Sequence, residues 1–374
     1  MMSRRYISSF WPESDGSTLT LDFTTGVLDP RLTFTRGSTG TRINSSGFVE
    51  TMSNNVARFD YDPATLAPRG LLIEAAATNL LNWSASFATS GGTNNNWADT
   101  SITRTTGQAD PANGTTAIRF TASAGNATVI SSAAIGTSAA RTFSVWLRRV
   151  TGTGNIQYTQ NNGTNWTTQA ITATWTRYTF THTVDHRVGI RIVTSGDAIE
   201  MWGAQLETGS GASSYIPTGA STATRNPDNC ELLNLTTMGF NASAGTIYVD
   251  TGTRIGTGGR SYSFMPTSGI NDQIFEGNGF LLNVYSSGTF VAQIGTGTAS
   301  AAKIAAAYAV NDYAVSVNGG APSTDTAGAL PTTIAKLTIG ARDSSSVTQM
   351  NGCIRVFKYW PTRLPNAQLQ SLTT

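Results

Sequence analysis

Apolar and polar residues alternate in short runs along most of this chain, and the runs are closed by Gly, Asn, Asp or Pro. Period-two alternation places one set of side chains on each face of a strand, whereas a helix would repeat every three or four residues. The clearest runs lie early, at Leu19-Thr20-Leu21-Asp22-Phe23 and Leu32-Thr33-Phe34-Thr35-Arg36. Gly26-Val27-Leu28-Asp29-Pro30 separates them, and Asn54–Pro63 follows with further turn chemistry. This stretch is too short and too broken by turns to bury a large core alone. It reads as a collar of short strands that neighbouring subunits or another protein would cover.

From Asn79 to about Thr222 the pattern predicts roughly eight strands, at Ala117–Ala122, Ala127–Ser131, Thr142–Arg148, Ile156–Gln160, Trp175–Phe180, His186–Val193 and Ile199–Gln205, after an opening at Trp83 and Phe87. Strands at that spacing with turns between them predict an antiparallel sandwich. In Thr142–Arg148, Phe143, Val145 and Leu147 share one face and Trp146 takes the other. Residues 223–239 read as a linker, and Tyr215-Ile216-Pro217 just before it is expected to pack back on the sandwich. A second set of strands runs from Gly245–Asp250 through Arg260–Phe264, Gln273–Glu276, Phe280–Tyr285, Thr289–Ile294, Tyr308–Asn311, Tyr313–Val317 and Lys336–Ile339 to Gly352–Trp360. Asn318-Gly319 is a hairpin signal, the alanine-rich stretch 299–308 reads as loop running into strand, and Pro365–Leu372 is the one helical turn. The expected fold class is therefore all-β: two antiparallel, jelly-roll-like β-sandwiches over residues 79–222 and 240–374, after an N-terminal attachment and oligomerisation segment, 1–78.

Composition sharpens the picture. With 374 residues the chain exceeds one ordinary core, and its 12% charged residues are about half the usual share. The surface must then be Thr, Ser, Asn and Gly. Basic residues are almost all Arg, with Lys only at 303, 336 and 358, and a net charge of +2 gives no field that argues for nucleic acid. The two cysteines, Cys230 and Cys353, could pair or stay free; two in so long a chain exclude a disulfide scaffold, and buried free thiols are the favoured reading. No stretch has the ~20 apolar residues needed to span a bilayer, so no membrane is expected. Met1–Arg5 is basic but no apolar run follows it, so no secretory signal is expected.

Candidate chemistry is sparse. His182 and His186 share a strand face without accompanying ligands, and no loop has an ordered calcium spacing, so no metal or cofactor is predicted. Glycoside cleavage needs two carboxylates at a set separation; Asp185, Asp197, Glu200, Glu207, Asp272 and Glu276 form no convincing pair, and no enzyme is expected. Sugars stack C–H faces on flat aromatics and bond to amides. Trp97 in a Gly-Asn loop, Trp166 in Gln160-Asn-Asn-Gly-Thr-Asn-Trp166, and the adjoining Tyr158 and Gln160 have that character, whereas Trp146, Trp175, Trp202 and Trp360 fall in periodic runs and read as core. At the N-terminus, Tyr6, Phe10 and Trp11 read as a docking peptide beside Pro12. Arg31, Arg36 and Arg58 read as contacts to an acidic partner surface, against the simpler reading that such arginines pair with Asp22, Asp29, Asp60 and Asp62.

The segments LDFTTGVLDPRLTFTRGSTGTRI, NNVARFDYDP and RGLLIEAAATNLL, with Trp202–Glu207, Ser214–Pro217, Phe240–Val249, Asn351–Pro361 and Leu364–Leu369, together resemble the head-spike and tail-fibre proteins of tailed bacteriophages. That resemblance implies a carbohydrate-binding-module-like sandwich followed by a concanavalin-like lectin (LamG-like) sandwich. It implies a structural virion protein assembled in the host bacterial cytoplasm, partnered by other virion proteins and by itself, as a trimer, and recognising a host-surface glycan. A capsid decoration protein with little glycan affinity and a polysaccharide-degrading virion enzyme are the alternatives.

Overall fold

The computed structural model describes residues 15–87, 97–132, 139–184, 187–255, 259–277, 279–295, 302–343 and 348–374. Seven short strands come first: β1 (Leu19–Asp22), β2 (Thr33–Thr35), β3 (Gly40–Ile43), β4 (Val49–Met52), β5 (Phe59–Tyr61), β6 (Pro68–Ile73) and β7 (Ala77–Asn79). Ten follow: β8 (Trp97–Thr100), β9 (Ile102–Gln108), β10 (Ala117–Ala122), β11 (Ala127–Ser131), β12 (Ala139–Thr151), β13 (Ile156–Thr159), β14 (Thr167–Gln169), β15 (Thr176–Val184), β16 (Gly189–Ile192) and β17 (Ala198–Thr208). These ten make two antiparallel five-stranded sheets, ordered β15-β12-β17-β10-β9 and β14-β13-β16-β11-β8. Their facing side chains, among them Phe120, Val129, Phe143, Leu147, Ile190, Ile192 and Met201, form one core. Phe143, Val145 and Leu147 point into it and Trp146 points out, as the alternation requires.

The remaining strands are β18 (Ala223–Arg225), β19 (Asn229–Leu232), β20 (Ala244–Arg254), β21 (Tyr262–Met265), β22 (Gln273–Glu276), β23 (Leu282–Ser286), β24 (Thr289–Ile294), β25 (Lys303–Ala309), β26 (Asp312–Val317), β27 (Ser323–Asp325), β28 (Lys336–Ile339) and β29 (Gly352–Trp360), before helix α1 (Asn366–Leu372). They build the second sandwich from a seven-stranded sheet, β2-β19-β28-β21-β22-β23-β24, and an eight-stranded sheet, β27-β26-β25-β20-β29-β6-β5, with β1 also on β29. Asn318 and Gly319 both have positive φ in the hairpin after β26, the geometry the Asn-Gly signal calls for. The strand expected at Tyr308–Asn311 lies earlier, at β25. Its small residues have a reason: Ala305 and Ala307 face outward, where Leu369 of α1 packs on them. Cys230 and Cys353 are free and buried, and burial raises the pKa of both thiols.

The N-terminal stretch is no separate collar. β1 pairs with the second half of β29 and β6 with its first half, β5 flanks β6, and β2 pairs with β19. Leu19, Leu21, Phe23, Leu32, Phe34, Phe59, Leu71 and Ile73 belong to the second sandwich's core. Gly70, at φ +95°, lets β6 approach β29: a Cβ there would lie 2.0 Å from the Ile354 carbonyl oxygen. The expected linker likewise contributes β18, which pairs with β7, and β19. Alternation announced these strands but could not say that their partners lie hundreds of residues away in the same chain. Tyr6, Phe10 and Trp11 lie outside the described residues.

Between the sandwiches sits a buried ionic cluster. Arg36, Arg58 and Arg225 come together with Glu74 and Asp228, all at most 2% exposed. Asp228 accepts hydrogen bonds from Arg58, from Arg36 Nη1 at 3.1 Å and from the Glu74 backbone N–H at 2.9 Å. Glu74 pairs with Arg58 at 2.8 Å and accepts both the backbone N–H and the hydroxyl of Ser214 at 2.7 Å. Arg36 spends its other donors on the carbonyls of Ser38, Ser53 and Val56. The docking role expected of Arg36 and Arg58 is therefore overturned, because both guanidinium groups are enclosed and bonded within the chain. Arg31 is half-buried, paired with Asp29 at 2.7 Å and bonded to the Thr237 carbonyl.

The rest of the junction is aromatic. The β3–β4 hairpin and the Tyr215-Ile216-Pro217 strap lie on the outer face of the β15-β12-β17-β10-β9 sheet, where Val49, Trp146, Trp202 and Tyr215 form a small core. Trp146 meets Trp202 and Tyr215 edge-on at 5.3 and 5.5 Å. Thr41 donates its hydroxyl to the Tyr215 carbonyl at 2.6 Å. The strap packs as expected from its sequence.

Two outcomes follow from this arrangement. A chain starting at Asn79 lacks β1, β2, β5 and β6, so its second sandwich is expected not to fold, with loss of that sandwich's share of the near-UV circular dichroism and of the cooperative unfolding transition. Glu74 has its own pH signature. Burial alone would raise its pKa, but the Arg225 and Arg58 charges outweigh burial and, with the Ser214 bonds, hold it at about 2 against an ordinary 4.5. A depressed carboxyl contributes stability that is complete above the unfolded value and is lost as pH falls through the folded one. Glu74→Gln is expected to cost about 3–5 kcal/mol near neutral pH. In urea titrations its deficit relative to wild type should shrink as pH falls from about 4.5 to about 2.

Candidate functional site

Sugar-stacking rings must be open on one face, and that criterion separates the candidates. Trp97 starts β8 with 0% exposure, packed edge-on to Phe87 with ring centroids 5.1 Å apart. It is core, because β8 alternates inward at that residue; a Gly-Asn sequence around it does not alter the direction of its side chain. Tyr158 also points inward from β13 and stacks on Phe180 at 3.8 Å. Gln160 is buried and donates Nε2 to the Phe180 carbonyl at 2.7 Å. These three residues line the core side of the sheet. Trp146, Trp202 and Trp360 are buried as expected, and Trp175 is half-buried under the Arg148 guanidinium.

Trp166 differs. Its loop is drawn tight by Thr159, whose hydroxyl accepts from the backbone N–H of Gly163 at 2.9 Å, and by Asn161, whose side chain accepts from the Asn165 N–H at 2.9 Å. Asn162 and Gly163 take positive φ to complete the turn. The ring, half-buried, comes to lie on the outer face of the β14-β13-β16-β11-β8 sheet, with the Arg191 guanidinium 4.5 Å from its centroid. Such a cation–π contact fixes both groups.

Register supplies the rest of that face. Thr168, Gln157, Arg191, Thr128 and Thr100 stand opposite one another across all five strands. Ile156, Ile190, Ile192 and Val129 point into the core, so this row points out. At about 4.8 Å between strands the row is roughly 19 Å long. Arg191 Nε donates to Gln157 Oε1 at 2.7 Å, and Gln157 Nε2 donates to Thr168 Oγ1 at 3.3 Å. One amide thus aligns the guanidinium beneath the indole. Arg191 and Gln157 were absent from the sequence candidates. The signal for Arg191 was in Val188-Gly189-Ile190-Arg191-Ile192, where alternation already turns Arg191 outward.

The second sandwich offers less. On the seven-stranded sheet, Phe275 stacks on Tyr285 at 5.9 Å but is 4% exposed, and Phe290, opposite Tyr285, is 40% exposed, while the amides in register with these rings, Gln273 and Asn283, are themselves buried.

The carboxylates are each committed to their own donors. Glu200 lies between Arg119 and Arg148 at 2.8 and 2.5 Å. Glu207 accepts from Ser213 and Gln205, and Asp197 accepts the Gly154 N–H. Asp272 accepts from Ser287 and Thr333, and Glu276 binds Arg254 through both oxygens. Asp272, just before β22, and Glu276, at its end, bind different partners and do not form a pair. His182 is exposed, its Nδ1 3.0 Å from the Thr183 carbonyl, while Asp185 and His186 lie outside the described residues. No group of three metal-ligating side chains occurs among the described residues.

No protein-family model matches the chain. No curated protein matches it. Among solved structures, the CBM40 module of the Ruminococcus gnavus IT-sialidase, bound to α2,6-sialyllactose, is 16% identical, over 36% of this chain and 85% of that one, with a TM-score of 0.31. Domain 4 of the extracellular GH43 arabinanase AbnA from Geobacillus stearothermophilus, in complex with arabinotriose, is 15% identical over 45% of this chain and 84% of that one, with a TM-score of 0.31. A structure of botulinum neurotoxin type C, whose cell entry depends on two ganglioside molecules, is 11% identical with a TM-score of 0.29; the match spans 40% of this chain and 41% of that one.

The two tryptophans are expected to behave in opposite ways. Trp97→Ala empties a core position and should cost about 3–5 kcal/mol, whereas Trp166→Ala removes a surface cation–π contact worth about 1 kcal/mol. Urea midpoints of the two variants measure the difference.

Proposed function

We propose that this chain is a structural attachment subunit of a tailed-bacteriophage virion, with no bond-breaking activity, and that its first sandwich presents a glycan-recognising face to the host surface. One observation carries the glycan reading: a half-open indole fixed over the guanidinium at the middle of a five-strand row of Thr, Gln and Arg. Sugars need an apolar face beside hydrogen-bonding groups that hold still, and on this sheet the loop around Asn161 and the Gln157 bridge supply the rigidity. The virion role rests on the sequence resemblance. In this reading Arg36 and Arg58 hold the two sandwiches together. Contact with other virion proteins then falls to Arg31 and to Tyr6, Phe10 and Trp11. A trimer would present three copies of the face, so weak single contacts would combine into useful avidity.

Adsorption of the full-length, fluorescently labelled protein to host cells, competed by extracted host polysaccharide, tests the proposal. Wild type is expected to adsorb and to be displaced. Trp166→Ala, folded by circular dichroism, is expected to lose at least tenfold in affinity. Equal adsorption of the two proteins would overturn the assigned face, and release of reducing ends from the polysaccharide would overturn the non-enzymatic reading.

A further inference from the structure

The face around Trp166 has a sign as well as a shape. Val188, Ile190 and Ile192 point into the core, so Arg187, Gly189 and Arg191 point the other way. Arg191 therefore stands on β16, and Arg187 lies two residues before the Gly189 that opens the strand. The backbone of this edge is held, since Ser131 N–H donates to the Val188 carbonyl at 2.8 Å and Asn162 N–H to the Arg187 carbonyl at 3.0 Å. Gly189 has a specific use. A Cβ at this residue would lie 2.8 Å from Cγ1 of Ile130, so the missing side chain lets Ile130 lean across the strand. Ile130 and Trp166 adjoin each other beside Gly163, where a Cβ would sit 3.6 Å from Ile130 Cδ1 and 3.2 Å from Trp166 Cζ2. The result is a small apolar floor beside the Arg191 guanidinium, with Arg187 two residues before Gly189 along the chain.

Among the described residues of the face, no acid answers these charges. Those residues, Ala98, Thr100, Thr128, Gln157, Thr159, Asn161 to Trp166 and Thr168, include no carboxylate. Arg191 spends Nε and Nη2 on the neutral Gln157 and gives no hydrogen bond through Nη1 to a described residue. Arg187 Nε, a buried atom, has no hydrogen-bond partner among the described residues. Four other arginines of this sandwich have acids, Arg104 with Asp99, Arg119 and Arg148 with Glu200, and Arg149 with Asp197, whereas the buried Arg177 bonds to the Ser213 carbonyl and the Ser144 hydroxyl. An arginine fork without an acid matches a carboxylate, sulfate or phosphate group.

We propose that this face takes an acidic glycan, with the anionic group held by Arg187 and Arg191 and the sugar ring lying on Ile130 and Trp166. The proposal rests on the glycan reading above and narrows it to a charge class. Binding of the full chain to polygalacturonate and to its carboxyl-reduced counterpart, and to dextran sulfate and dextran, tests it by titration calorimetry at low and at high salt. Wild type is expected to prefer an acidic polymer at least tenfold, with the preference reduced by salt. The polygalacturonate and dextran sulfate arms tell a carboxylate from a sulfate-type group. Arg191→Gln and Arg187→Gln should each erase most of the preference while leaving weak neutral binding. Lys303→Gln, on the second sandwich, should leave the preference intact, which excludes a mere net-charge effect. Equal wild-type binding of neutral and acidic polymers, lost in Trp166→Ala but not in the arginine variants, would overturn the charge class and keep the glycan reading. Absence of binding to all four polymers and to host polysaccharide would overturn both.

Discussion

Everything in this molecule hangs on a buried cluster of charge. Arg36 follows β2, Arg58 precedes β5, Glu74 follows β6, Ser214 precedes the strap on the first sandwich, and Arg225 and Asp228 come from the crossing back to the second. Ions taken out of water are costly unless every partner is in place. Such a cluster tolerates one arrangement of these segments and penalises the others. The Trp146, Trp202 and Tyr215 contacts supply apolar burial at the same joint. Adhesion and direction are thus divided between two kinds of chemistry.

That joint also explains the chain's path. The polypeptide begins the second sandwich, leaves it to build the whole of the first, and returns to finish what it began. Strand β29 records this, pairing with β20 along one edge and with β1 and β6, from the far end of the sequence, along the other. A first sandwich inserted in this way is held at both its entry and its exit, where β7 pairs with β18. An outward-facing sheet on a module tied at both ends is a stiff platform, which is what a weak, multivalent contact requires.

On that platform, loop composition and strand direction made different claims about the aromatics. Trp97 and Trp166 have nearly the same neighbours in sequence, Gly, Thr and Asn, yet one fills the core and the other lies on the outer face. Asn and Gly make tight turns wherever turns are needed, so their presence near an indole reports the turn and not the exposure of the ring. The parity of the strand position decides exposure. Arg191 shows the converse: a charge in an otherwise ordinary strand becomes a feature only once Trp166 is set over it.

Local pattern by itself determined the all-β class, most strand positions, the inward set Phe143, Val145 and Leu147, the return of Tyr215-Ile216-Pro217 and the final helix. Alternation, turn residues and Pro act over a few residues, and a reader of the sequence sees them directly. The tertiary structure alone decided that residues 19–73 complete the second sandwich, that Arg36 and Arg58 bind Asp228 and Glu74, and that Gln157 and Arg191 stand side by side beneath Trp166. Those are matters of register between distant strands, where the energy comes from pairing and from removing water from facing surfaces. A single strand's composition does not record its neighbour, so these facts exist only once the sheets have closed.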